Sequence, residues 1–247
     1  MSIISKSCGV SRMGPLHKKN NLENQDSFYI SCNKDYTLAL VSDGLGSKKY
    51  SAVGSKMAGP AVNNSIKKIL QERNSLEEEK FGAALISNLA TEWTALISPK
   101  SPEDCSATCL FTIITKNFIY CFRLGDGMIF LKAAAVPDPA ALADDILLQD
   151  DKGTDFSNST VSLSNPNMML SWETKKLNKK DYSNIVLTTD GISSDLQPGS
   201  EKAFVTGLLE NLKNKPYFIR KIILRRMIKN WPVPKHTDDK TIVVVDL

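Results

Sequence analysis

The chain has 247 residues, 42% of them hydrophobic and 23% charged, so it is long and apolar enough to bury a sizeable core and is not a disordered chain. Its formal net charge of +4 is modest and its basic and acidic residues are interspersed, which gives no reason to expect a nucleic-acid partner. The five cysteines (Cys8, Cys32, Cys105, Cys109 and Cys121) draw neither a disulfide ladder nor a CxxC pair. Nowhere do about eighteen apolar residues run together, and the expectation is a soluble, cytoplasmic protein in a reducing compartment, with no membrane contact.

In chain order, a basic stretch holding Arg12, His17, Lys18 and Lys19 precedes Gln25-Asp26, which leads into the apolar Phe28-Tyr29-Ile30. The run Thr37–Ser42 is too apolar for one exposed face and reads as a buried strand that ends on Asp43-Gly44-Leu45-Gly46. Two helical stretches follow, roughly Ser51–Glu72 and Leu76–Ile97, the second with Phe81, Leu85, Leu89, Trp93 and Leu96 at helical spacing and stopped by Pro99 and Pro102. Strands are expected at Thr108–Thr115 and Phe118–Leu124, joined as an antiparallel hairpin around Lys116-Asn117, and the second opens into Gly125-Asp126-Gly127.

From Leu131 to Asn178 the pattern weakens, with an acid-rich stretch from Asp144 to Asp155, and reads as long loops or a surface excursion. A further buried strand, Ile185–Thr189, ends at Asp190-Gly191. Lys202–Lys229 reads as two helices broken at Pro216, with Phe218, Ile219, Ile222, Ile223 and Met227 on one side. The last strand, Thr241–Val245, is entered through Asp238-Asp239. With no internal repeat and no linker, residues 1–247 read as one domain, an α+β sandwich of strands layered against helices.

Five strand ends therefore carry acids. A single Asp-Gly is ordinarily a tight turn, in which Asp accepts local backbone hydrogen bonds and Gly supplies positive φ. Repetition at the ends of buried strands points further, because carboxylates are the preferred ligands of hard cations such as Mg²⁺ and Mn²⁺. With two His in the chain, zinc chemistry is not expected. Converging strand ends would let a pair of cations clamp a phosphate and activate a bridging water, with no nucleophilic side chain required.

Other features read blandly. The basic set Lys213, Lys215, Arg220, Lys221, Arg225, Arg226 and Lys229 is expected as the solvated face of an amphipathic helix, with docking of acidic partners as the alternative. Cys105 and Cys109 are expected to be buried packing residues; Trp93, Trp172 and Trp231 read as packing anchors, and His236 as a shaper of the turn before Asp238.

The ordered signatures Asn24-Gln25-Asp26-Ser27, Val41-Ser42-Asp43-Gly44-Leu45-Gly46, Ser106-Ala107-Thr108, Leu124-Gly125-Asp126-Gly127, Thr189-Asp190-Gly191 and Asp238-Asp239-Lys240-Thr241 resemble those of the metal-dependent serine/threonine protein phosphatases of type 2C, over nearly the whole chain. The resemblance implies a four-layer α-β-β-α sandwich with two central, mainly antiparallel sheets flanked by helices and metals in a cleft at one end. It implies hydrolysis of phosphoserine or phosphothreonine in proteins by metal-activated water, with two Mn²⁺ or Mg²⁺ ions and a third held more weakly. By position, Asp43 resembles the bridging ligand, the Gly44 carbonyl a ligand of the second metal, and Asp190 and Asp238 the remaining ligands of the first. Asp126 resembles the ligand of the third cation and Asp26 the acid that holds metal-bound water. Asn21 stands at the position of the family's phosphate-binding Arg, which leaves His17, Lys18, Lys19 or Arg12 as substitutes, with His17 the one favoured.

Other departures are Gln25 for a frequent Glu, Ser194 (followed by Asp195) for an acid of the third-metal site, and Leu45 for a His that some members carry. They leave open a second reading, a catalytically weak or inactive homologue that binds phosphoproteins as a regulator. Residues 131–178 would include the variable flap beside the cleft. The partners implied are a phosphorylated protein and its cognate Ser/Thr kinase, with the phosphatase a monomer.

Overall fold

The computed structural model describes residues 7–73, 75–77, 80–135, 143–149, 161–165, 167–232 and 237–247. His236 and residues 150–155 of the acid-rich stretch lie outside the described residues.

Among the described residues, ten strands form two five-stranded antiparallel sheets. The first has the order β1 (Ser7–Arg12), β10 (Lys240–Asp246), β9 (Tyr182–Thr188), β6 (Met128–Ala133) and β7 (Ile146–Leu148). The second has the order β2 (Asp26–Cys32), β3 (Thr37–Asp43), β4 (Cys109–Ile114), β5 (Phe118–Leu124) and β8 (Glu173–Asn178). The period-2 alternation of each strand is what builds the layers. Ala39 and Val41 of β3 point into the space between the sheets, where they meet Ile129, Leu187, Val243 and Val245 of the other sheet. Leu38 and Leu40 point the other way, under α2 (Ser51–Arg73) and α3 (Phe81–Ile97). On the opposite outer face Val10, Phe130, Val186 and Val244 are covered by α5 (Glu201–Leu212) and α6 (Tyr217–Lys229). Strands buried on both faces explain why their sequences read as apolar runs. The result is the expected α-β-β-α sandwich.

The hairpin expected around Lys116-Asn117 is β4–β5, closed by the pairing of Ile114 with Ile119. Three expectations are corrected. The helix expected from Leu76 begins at Phe81. The stretch Leu131–Asn178, expected as loops, contains β7 and β8; β8 escaped notice because it is an edge strand of sequence ETKKLN whose side chains are mostly exposed, so backbone pairing with β5 defines it. Finally, α6 packs with another face than expected. Its buried residues are Arg220, Leu224 and Ile228, whereas Phe218 and Ile222 are 62% and 55% exposed. Arg220 accordingly leaves the solvated set: its guanidinium binds Asp246 with both terminal nitrogens, at 2.7 and 2.9 Å. A bidentate pair at the end of β10 fixes the helix phase where apolar periodicity alone is ambiguous. Cys105 and Cys109 are buried and burial raises both thiol pKa values, as packing residues require. No helix among the described residues is long and apolar enough to cross a membrane.

Candidate metal centre

The acidic strand ends come together at one end of the sandwich. Asp26 opens β2 and Asp43 closes β3, and the antiparallel register sets them directly opposite each other. In the other sheet β9 ends at Thr188 beside the start of β10, so Asp190 and the Asp238-Asp239 turn are delivered to the same end. A cross-sheet contact joins the halves: Thr189 Oγ1 donates to Asp26 Oδ2 at 2.7 Å, while the Thr241 amide donates to Thr189 Oγ1 at 3.1 Å. Thr108 clamps Asp43 in place, its hydroxyl accepting from the Asp43 amide at 2.9 Å and its own amide donating to the Asp43 carbonyl at 2.8 Å. That is the work of the Ser106-Ala107-Thr108 signature.

Glycine is needed beside two of these acids for a reason other than the positive φ of a turn. A Cβ on Gly44 would lie 2.6 Å from the Ser51 backbone, and one on Gly191 would collide with the Asp239 carbonyl. Close approach of two chain segments is the constraint at both positions. Only in Gly125-Asp126-Gly127, between β5 and β6, are both glycines at positive φ, +83° and +123°.

Electrostatics follow from this convergence. The Asp43 carboxyl is held well above the usual carboxylate pKa, first by burial, then by the charges of Asp26 and Asp190, a hydrogen bond with Asp26, and the charge of Asp238. Asp26 is pushed up to about 7, chiefly by burial, against the lowering effect of its hydrogen bonds with Thr189, Asp43 and Thr241. Asp26 and Asp43 therefore both resist ionising, because neighbouring carboxylates held largely out of water cannot readily both carry charge without a neutralising cation. No Lys or Arg among the described residues is ion-paired with either. Three or more His, Cys, Asp or Glu side chains close enough to ligate one ion do not occur among the described residues as they lie. An oxygen-only cluster of acids in need of neutralisation nevertheless fits a hard divalent cation.

Of the remaining sequence candidates, Asp238 is exposed and Asp126 partly buried. Its neighbour Asp239, which the sequence reading did not single out, is 2% exposed and accepts from the Gly14 amide at 2.7 Å, the Gln25 amide at 2.7 Å and His17 Nδ1 at 2.8 Å. It ties α1 (Pro15–Lys19), which carries His17, to the site and leaves only the second ring nitrogen of His17 free for another ligand. The one available signal was its adjacency to Asp238. Asn21 adopts φ +54° just beyond α1, a conformation Asn tolerates better than Arg. Asp195, the acid next to Ser194, is turned away and accepts from Lys240 Nζ at 3.0 Å and Trp231 Nε1 at 2.8 Å. Lys240 is fully buried and also donates to the Gly191 carbonyl, directly behind Asp190 in α4 (Asp190–Ser193).

A sequence model of the family described as protein phosphatase 2C matches residues 13–225, and the chain belongs to that family. No match is found among curated proteins. Among solved structures, the serine/threonine phosphatase Stp1 from Staphylococcus aureus is 14% identical, with 98% of this chain and 95% of that chain covered at a TM-score of 0.66. The serine-threonine phosphatase 2C from Toxoplasma gondii is 12% identical, with 100% and 96% covered at 0.63. The catalytic domain of the phosphatase PstP, described in complex with two manganese ions, is 17% identical, with 98% and 97% covered at 0.58. The fold is thus one that serine/threonine phosphatases use.

Proposed function

We infer that the protein is a Mn²⁺- or Mg²⁺-dependent phosphatase of phosphoserine and phosphothreonine in proteins. The observation that carries this reading is the convergence of acids on the part-buried Asp43, which faces Asp26 across the β2–β3 pair and whose ionisation Asp26, Asp190 and Asp238 all oppose. Asp43, the Gly44 carbonyl, Asp190 and Asp238 would hold two cations, and Asp126 a third. Bound there, the metals would supply Lewis acidity toward phosphate oxygens and a water acidic enough to attack at neutral pH.

The chain's own residues do the rest. Asp26, buried and hydrogen-bonded by Thr189, is placed to accept a proton at its carboxylate. His17, fixed through Nδ1 by Asp239, offers its other nitrogen to a phosphate oxygen in place of the absent Arg. The employment of Asp195 by Lys240 supports a two-metal enzyme in which the third site is weak. Described residues 161–165 of the flap region rest on the site's rim, the Leu163 amide donating to the Ala107 carbonyl at 2.9 Å, where an incoming phosphoprotein would be met. A phosphorylated protein and its kinase are the partners in this reading, which places the enzyme in the cytoplasm as a monomer and in one domain.

The test is phosphate release from a phosphothreonine peptide with Mn²⁺, expected to be abolished by EDTA and by Asp43→Asn or Asp190→Asn. Activity unaffected by both substitutions would sink the assignment. Phosphopeptide binding without turnover would instead select the regulator reading.

A further inference from the structure

On the far side of the α4 turn from the acidic cluster, α5 and α6 leave a cleft of about 730 Å³. Phe204, Ile223, Met227 and Trp231 supply apolar walls, and Asp195 and Arg226 are the charged groups in the lining. This volume lies within the roughly 300–1,000 Å³ of sites that enclose small organic molecules. Phe204 and Trp231 meet edge to face at 6.0 Å between ring centroids, a wall suited to an apolar chain or ring.

The two charges in the cleft are not equivalent. Asp195 is neutralised in place by Lys240 and the Trp231 N–H. Arg226 is exposed and forms no ion pair with any described residue, and α6 contains no Asp or Glu that could serve it from its own helix. The charge left over is positive and stands beside apolar walls, so the complementary ligand has an apolar body and an anionic head.

The cleft wall is also connected to the candidate metal centre. Trp231 binds Asp195, Asp195 binds Lys240, and the ammonium of Lys240 holds the Gly191 carbonyl next to Asp190 and stands 5.5 Å from the Trp231 ring. Lys240 has nowhere else to place its charge, since it is fully buried. A molecule that packs on Trp231 where it stands would hold this chain of contacts together, and with it the turn that carries Asp190.

We propose that the cleft between α5 and α6 binds a small amphipathic carboxylate, its chain against Phe204, Met227 and Trp231 and its head on Arg226, and that occupancy firms the Asp190 turn through Trp231, Asp195 and Lys240. The binding site stands on the cleft alone; the coupling rests on the reading of Asp190 as a metal ligand.

The probe is dodecanoate, titrated calorimetrically into the full chain, with dodecanol and dodecylamine as controls for the head group. One molecule per chain is expected to bind, at least tenfold more weakly to Arg226→Gln, with dodecanol and dodecylamine at least as impaired. Arg226 is exposed, so this variant should fold normally. Equal affinity of the wild type and Arg226→Gln for dodecanoate, or binding without a defined stoichiometry, would overturn the site. For the coupling, the apparent Mn²⁺ affinity, read by calorimetry, is expected to tighten at least threefold under saturating dodecanoate, and Trp231→Phe to remove that gain. Mn²⁺ affinity indifferent to dodecanoate overturns the coupling. Arg226-dependent binding of dodecanoate by a chain that binds neither Mn²⁺ nor phosphopeptide overturns the coupling and the phosphatase reading together, while upholding the cleft.

Discussion

Substituting Asp26 with Asn in the metal-free protein tests whether the acidic cluster is held together against its own charge. Burial pushes the Asp26 carboxyl from 3.8 to about 7. The folded chain therefore keeps this proton in a window, about pH 4 to 7, where the unfolded chain has released it. Its contribution to stability is complete below pH 4 and is lost as pH rises through 7. At about 1.4 kcal/mol per pKa unit, roughly three units amount to about 4 kcal/mol, of which about 3 kcal/mol would be lost between pH 4.5 and pH 8. Asn does not ionise, keeps an oxygen that can accept from Thr189, and relieves Asp43 of one neighbouring charge. Urea unfolding of EDTA-treated protein at the two pH values should show the wild type weakening and Asp26→Asn changing by about 3 kcal/mol less. Taking the difference between variants cancels groups that titrate alike in both, and the relief of Asp43 adds to the difference in the same direction. If both proteins change by the same amount, the carboxylates do not oppose one another and the electrostatic argument for a cation fails.

Four further outcomes are expected. Removing the buried ammonium with Lys240→Met leaves the Asp195 carboxylate without its cation, with only the Trp231 N–H still donating to it, and takes the ammonium from the Gly191 carbonyl; it should cost about 3–5 kcal/mol in chemical denaturation. With Asp239→Asn an NH₂ replaces one of two oxygens that both accept hydrogen bonds; a loss of about 1–3 kcal/mol is expected, together with increased proteolysis near α1. On α6, Leu224→Ala should cost about 2–5 kcal/mol and Ile222→Ala under about 0.5 kcal/mol, and equal costs would restore the helix phase expected from the sequence. Gln25→Glu, which returns an acid beside the cluster, should tighten Mn²⁺ binding measured by calorimetry; weaker or unchanged binding would show that position to be remote from the metals.

The sequence by itself marked the strands that are buried on both faces and apolar along their length, such as Thr37–Ser42 and Thr241–Val245, but not β1, β6, β7 or β8. It also determined which acids stand at their ends, since a chain leaving a buried strand turns at its first polar and glycine residues. The order of those ends was enough to indicate the family. Tertiary structure decided everything that depends on which ends meet. Asp26 faces Asp43 because β2 and β3 pair in one particular register, and Thr189 reaches Asp26 only because the two sheets pack face to face. It distinguished Asp239 from Asp238, two adjacent carboxylates of which one turns inward to three donors and the other stays exposed. It also assigned Asp195 to Lys240 and set the phase of α6 through the Arg220–Asp246 pair. Each of these is a contact between residues far apart in the chain, and local periodicity carries no record of such contacts.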